Sequence, residues 1–408
     1  MAARRVRIYQ EDWLPFQNLP AAAKAFEAAT GIGVDLAWDR VGVGTIEHMF
    51  DQMARSFGDD DPPFDLVCID EVMLRAYARD GRVLELDEWM ARDGVTLADY
   101  TPETVEEATY EGRCIGLPCV NVSSMLMFRR DLLERYGLPV PSSWDELRQV
   151  GTTLQEAVRR DEGRDFWGFL TRGAGGGGHS VWTIGCFLGS FGAKWLDETG
   201  RPNPVSDATV AAMACYADLL DAVAPPDQPD CSFVEMRGAF ASGRVGIIMD
   251  VGMEYAHVLA TNPELAERSG IALIPAGPVR RAPNLYSPLW AIPNASPVKA
   301  EAWELAKWLC SPRQLLEDGV KSNAIETAPL SVLYSAEFDR HFRDDMLSTV
   351  RAGRAIAREE RPFGDLGIEA CTIVGDITHE LLLKRWTPRT AAEAIVQRLG
   401  KLADSRGD

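Results

Sequence analysis

The chain has 408 residues, with 61 Asp plus Glu against 42 Lys plus Arg and a formal net charge of −19. At about 100–200 residues per domain, this length predicts two or three domains, or one bilobed body. Hydrophobic residues at 46% suit a packed core, no run approaches the ~18 apolar residues of a membrane helix, and an acidic chain without a Lys/Arg block lacks the basic face that binds nucleic acid.

Met1 to Arg5 lead into a predicted strand at residues 6–9 with no apolar signal segment. Either the protein works in the cytoplasm or a leader has been removed. Asn18 then caps a helix with Leu19, Ala22, Ala23 and Phe26 on one face, closed by Gly31. Val34, Leu36 and Trp38 alternate as a second strand, and Thr45 opens a helix carrying Ile46, Met49, Phe50 and Met53. The continuous apolar run at residues 66–69 reads as a parallel strand covered on both faces. This β-α-β-α-β order predicts a parallel sheet flanked by helices, with ligands at the carboxyl ends of its strands.

Ser143 and Glu146 have capping-box spacing before a helix with Leu147, Val150, Leu154 and Ala157 on one face. Residues 166–170 read as a strand, followed by an irregular glycine-rich stretch at 173–178. Ser206 starts a helix that runs to about Val223, where Pro225 and Pro226 stop it. Residues 245–249 form a further strand, and Ser296 with Pro297 at the first helical position caps a helix through Leu309. The 8 cysteines are scattered, form no CxxC pair and sit mostly among apolar neighbours. They read mainly as buried thiols, with a bridge such as 114–119 left open.

Enzymatic signatures are missing. Gly42-Val43-Gly44 lacks the third glycine of a dinucleotide loop, and no Gly-Lys-Ser/Thr phosphate loop occurs. Residues 188–192 miss the nucleophile elbow at their first position. The 5 histidines show no HExxH, so no metal site is expected. A paired-carboxylate glycosidase has no fixed spacing and stays open on motifs alone.

From Tyr110 through Glu111, Gly112 and Arg113 to Pro118, then residues 127–133, 136–139 and 141–147, the chain resembles the family-1 extracellular solute-binding proteins of ABC importers, the maltose-binding-protein-like group serving sugars and polyols. Residues 26–34, 64–67, 240–250, 288–293 and 386–394 carry the likeness along almost the whole chain. Phe128-Arg129 stands where family members often have Tyr-Asn, and Cys114 and Cys119 replace common aromatics. The missing platform at those cysteines favours a small ligand over a long oligosaccharide.

The resemblance implies an α/β, two-lobed periplasmic-binding-protein fold with a discontinuous chain and a hinge-closing interlobe cleft. The implied N-terminal lobe is 1–119 with 276–328, and the C-terminal lobe is 120–275 with 329–408. The implied function is capture of a sugar, polyol or sugar derivative for an ABC permease, without catalysis, cofactor or metal. A monomer is expected, placed in the periplasm with its leader absent from the sequence, or lipid-anchored outside the cell. The alternatives are an anionic sugar-derivative binder and a two-carboxylate hydrolase.

The residues nominated for ligand contact stand at strand ends and in unusual loops. Glu11, Asp12 and Trp13 follow the first strand, where carboxylates accept sugar hydroxyls and an indole faces ring C–H groups. Gly44 ends the second strand and Asp70 the third, each with a turn or helix-cap role as the alternative. Asn121 lies just past the first crossing and can donate and accept. Gly177, His179 and Trp182 belong to the glycine-rich stretch, whose free N–H groups could meet a ligand oxygen or merely open a helix. Asp250 and Gly252 end a second-lobe strand; Tyr286 and Trp290 lie on the returning segment; Arg361 sits on a late loop.

Overall fold

The apolar run at 66–69 becomes the strand Leu66–Ile69, with all four side chains buried, as a central strand covered on both faces requires. The computed structural model describes residues 4–40, 46–362 and 364–406. Two units emerge from its packing, Met1–Val122 with Tyr286–Leu347 (unit 1) and Ser123–Leu285 with Ser348–Asp408 (unit 2). Among the described residues no helix is long and apolar enough to cross a membrane.

Unit 1 holds a five-stranded sheet in the order Gly33–Arg40, Arg5–Asp12, Leu66–Ile69, Leu289–Ala291, Leu117–Pro118. The first three strands are parallel, and Leu289–Ala291 runs antiparallel to both of its neighbours. The helix Leu19–Thr30 buries Leu19, Ala22, Ala23 and Phe26, the face its periodicity predicts, and Gly31 ends it at φ +73°. Its cap Asn18 works differently from expectation. The side chain donates from Nδ2 to Asp318 Oδ1 at 2.6 Å and makes no capping bond. Ser296 likewise does not cap the next predicted helix, which begins at Lys299. Its hydroxyl accepts Val298 N–H (3.2 Å) ahead of that helix and donates to the buried Asp65 (2.9 Å), whose carboxylate also takes both Nε and Nη2 of Arg7.

Leu330–Leu333 and Ala336–His341 pack in unit 1. Leu330 N–H bonds the Asp99 carbonyl at 2.8 Å, and Gly319 gives room for the buried ring of Phe338.

Unit 2 has a four-stranded path, Ser269–Leu273, Val122–Arg129, Val245–Val251, Trp167–Thr171. Trp167–Thr171 and Val245–Val251 are parallel, with Thr171 opposite Met249. That register brings the residues following each strand together at one edge. Around the sheet pack Trp144–Glu162, Ser180–Ser190, Asp207–Val223 and Gly367–Leu382. Ser143 Oγ accepts from Glu146 N–H, but the Glu146 carboxylate returns to Ser142 and leaves the capping box half formed. A complete box joins Ser232 and Glu235 instead. Trp144 stacks on Phe187 with ring centres 3.9 Å apart and donates its indole N–H to Ser190. Gly189 on Ser180–Ser190, part of the failed nucleophile elbow, leaves the space that the Glu360 carboxylate occupies.

Candidate functional site

In unit 1 the carboxyl edge of the parallel strands carries several nominated residues. Glu11 and Asp12 end the first strand, pairing with Asp39 and Arg40 in register. Trp13 follows, half-buried, with its ring 6.1 Å from Tyr286 and 6.1 Å from Phe16. Gly44 lies outside the described residues. Asp70 caps Glu71–Arg79, its Oδ1 accepting from Val72 N–H at 2.9 Å, so the helix-cap role is filled. Beside it Glu71 and Glu107 are buried, with carboxylate oxygens within 4.8 Å of each other.

Asn121 is fully buried and donates from Nδ2 to Ser287 Oγ (2.7 Å) and to Thr104 Oγ1. Trp290 is 2% exposed, its backbone paired with Cys68 and Leu117 and its indole edge-on to Phe16 at 5.9 Å. That side chain is core of the unit-1 sheet. Cys114 and Cys119 are buried thiols bonding the carbonyls of Gly116 (3.4 Å) and Pro288 (3.2 Å).

Unit 2 concentrates its polar groups more densely. Asp250, within Val245–Val251, has a fully buried carboxylate gripped by Arg172 through Nε and Nη2, both at 2.6 Å. Arg172 directly follows Trp167–Thr171, so the parallel register sets the two side chains against each other. Its guanidinium lies 5.2 Å from the Phe233 ring and 5.7 Å from the Trp182 ring, within range of cation–π attraction. Arg361 approaches Trp182 at the same 5.7 Å and chelates Glu359, with Nη2 to Oε2 at 2.5 Å. That ion pair is buried, with both side chains under a tenth exposed. His179 precedes Ser180–Ser190 and packs 6.1 Å from Phe233.

A third ion pair completes the cluster. Arg237 Nη2 donates to Glu254 Oε1 at 3.0 Å, and the Arg237 guanidinium sits 4.8 Å from the Phe233 ring. Burial, with Asp250 adding to it, pushes the Glu254 carboxyl up to about 7 against the pull of Arg237 and Arg172. His257 is held down to about 4 by burial and by Arg237, and stays neutral at neutral pH. Gly252, also buried, accepts Tyr255 N–H at 3.3 Å. Three guanidiniums face three carboxylates, so with Glu254 ionised, above about pH 7, the cluster carries polar reach without net charge.

The glycine-rich loop is explained by packing. A Cβ on Gly177 would stand 2.5 Å from Ile368, and one on Gly375 2.0 Å from the Gly176 carbonyl. Gly176 N–H bonds Asp376 Oδ1 at 2.8 Å. The loop therefore packs on Gly367–Leu382, where Gly177 allows the close approach, while Gly176 takes a left-handed φ of +86°.

Sequence reading nominated Asp250, Trp182, His179 and Arg361, which the fold gathers in unit 2. It missed Arg172, Phe233, Arg237, Glu254 and Glu359. Two signals were available: Arg172 ends a strand as Asp70 does, and Glu254 lies four residues beyond Asp250.

A family model described as bacterial extracellular solute-binding protein matches residues 12–315. The mannitol-binding protein of Pseudomonas aeruginosa is 28% identical over 219 residues, 53% of this chain and 49% of that protein. The chain thus spans about half the length of that curated relative. A solute-binding protein from Thermotoga lettingae, solved with α-D-tagatose, superposes with a TM-score of 0.87 at 20% identity, over 98% of this chain and all of that one. One from Agrobacterium radiobacter, solved with ribitol, gives 0.84 at 22% identity over 98% of each chain. At such identities these likenesses show the shared α/β fold.

Proposed function

From its membership of the bacterial extracellular solute-binding protein family, to which the chain belongs, we propose that it captures a small neutral polyol or sugar and hands it to an ABC permease. It acts as a carrier outside the cytoplasmic membrane, with no bond made or broken. The observation that carries the reading is the charge-balanced cluster of Arg172–Asp250, Arg237–Glu254 and Arg361–Glu359 around Trp182 and Phe233. Ion-paired carboxylates and guanidiniums accept and donate to hydroxyls, while the aromatic faces take C–H groups. An anionic ligand would need a surplus of cations, and every guanidinium here already has its carboxylate.

Mannitol, ribitol and tagatose are the ligands of similar proteins, and all are neutral and of one-sugar size. In unit 1, Trp13, Asp70 and Tyr286 are proposed as ligand-facing by their place at the carboxyl edge. A site built on hydrogen-bonding side chains discriminates sharply, because a wrong ligand leaves buried polar groups unpaired. The test is a thermal-shift screen of D-mannitol, ribitol, D-tagatose, maltose, D-gluconate and mannitol 1-phosphate. Stabilisation by one or more of the first three supports the proposal. Response to the phosphate or gluconate alone would transfer it to the anionic class, and turnover of an added glycoside would make it a hydrolase.

A further inference from the structure

Asp250, Arg361 and Glu360 are buried and ion-paired inside unit 2, which makes one further pair stand apart. Glu254 opens the helix Glu254–Thr261 and is only 3% exposed. Its Oε1 accepts from Arg237, but its Oε2 is buried and meets no donor among the described residues. Arg237, 8% exposed, spends Nη2 on that pair, and its Nε–H is also buried without an acceptor. Native interiors seldom leave such groups open, so an open acceptor and an open donor on one pair require a partner from elsewhere.

We infer that Glu254 Oε2 and Arg237 Nε are specificity-determining positions that read hydroxyl groups of the ligand, the carboxylate oxygen accepting a hydroxyl proton and the Nε–H donating to a hydroxyl oxygen. The assignment rests on the carrier reading above. Its chemistry narrows the ligand class: a ligand carboxylate would be repelled at Oε2 and a ligand ammonium at Arg237, whereas a hydroxyl can serve at either position. Asp250 and Arg172 at the neighbouring strand ends occupy each other, and His257, one turn along the same helix, is neutral at neutral pH. They leave Glu254 Oε2 and Arg237 Nε to an uncharged polar partner.

Burial also sets a proton dependence. With the Glu254 carboxyl raised to about 7, the ionised acceptor prevails at pH 8 and the protonated form at pH 6, so hydroxyl capture strengthens as pH rises between them.

Calorimetric titration of the full chain with D-mannitol, ribitol and D-tagatose at pH 6 and pH 8 tests this. Wild type is expected to bind at least one of them several-fold more tightly at pH 8. Glu254→Gln should weaken that binding about ten- to a hundred-fold at pH 8, the effect of losing a hydrogen bond to a charged group, and should lose the pH slope. Arg237→Lys, which keeps the charge opposite Glu254 but removes Nε, should weaken it similarly with the circular-dichroism spectrum intact. Wild-type affinity that is flat with pH, or variants binding within twofold of wild type, overturns the assignment and leaves the carrier reading standing; the open atoms would then hold only structural water. If wild type binds none of the three, the assignment fails with them, and the carrier reading is decided by the wider screen of neutral and charged solutes.

Discussion

Replacing Asp250 with Asn probes the centre of the unit-2 cluster with almost no change of shape. The Asp250 side chain is fully buried and its two oxygens receive Arg172 Nη2 and Nε at 2.6 Å each, with Val251 N–H at 2.9 Å on Oδ1. Asparagine turns one of those oxygens into an N–H₂ donor facing a guanidinium donor and strips the buried cation of its counter-charge. Breaking a buried pair from one side costs about 3–5 kcal/mol. At about 2–4 °C per kcal/mol for a unit of this size, the unit-2 transition should fall by roughly 6–20 °C. Differential scanning calorimetry measures it, with the two units resolved as separate transitions where they unfold apart. Asp227→Asn is the internal control: Arg244 also grips Asp227 with two nitrogens, but in a pair one-third to one-half exposed, so its loss costs under about 1 kcal/mol. An Asp250→Asn shift no larger than that of Asp227→Asn would refute the view that the cluster is a buried, mutually compensated network.

Glu360 supplies a pH test, because burial pushes its carboxyl up to about 7 despite Arg280. A raised folded-state value favours folding below the ordinary range near pH 4.5 and loses that contribution as pH climbs through 7, about 3 kcal/mol at most. Glu360→Gln should flatten the decline in unfolding free energy between pH 5 and 8, and an unchanged slope would discount the effect. Gly375→Ala should destabilise by about 1–3 kcal/mol or more, since its Cβ would stand 2.0 Å from the Gly176 carbonyl. Gly238→Ala, exposed on Phe233–Ala241 with nothing near its Cβ, should stabilise by about 0.5–1 kcal/mol in urea titration. Trp290→Ala should cost about 3–5 kcal/mol of stability, because that side chain is sheet core; a native denaturation midpoint would contradict its placement.

Local pattern carried most of the fold. The strand Leu66–Ile69 follows from its unbroken apolar run, and the buried face of Leu19–Thr30 from helical periodicity. Asp250 and Arg361 were legible as polar residues at strand ends and loops, but their partners were not. Arg172 meets Asp250 across 78 positions of sequence, and an arginine read alone looks like surface. The glycine-rich stretch shows the opposite failure: composition announces that side chains are missing but not which neighbour fills the space, and here it is Gly367–Leu382. Ser296 fits a cap signature, but the helix starts at Lys299 and the serine hydroxyl also donates to Asp65, a partner 231 residues away.

The central claim is capture of a small neutral polyhydroxylated solute. Titration calorimetry of protein unfolded in denaturant, dialysed free of retained ligand and refolded addresses it directly, with D-mannitol, ribitol and D-tagatose as titrants. Saturable one-to-one binding of at least one of them, with the titrant recovered unchanged, is the predicted result. No binding of any neutral polyol or sugar alongside tight binding of a charged one, or recovery of the titrant as a product, would contradict it.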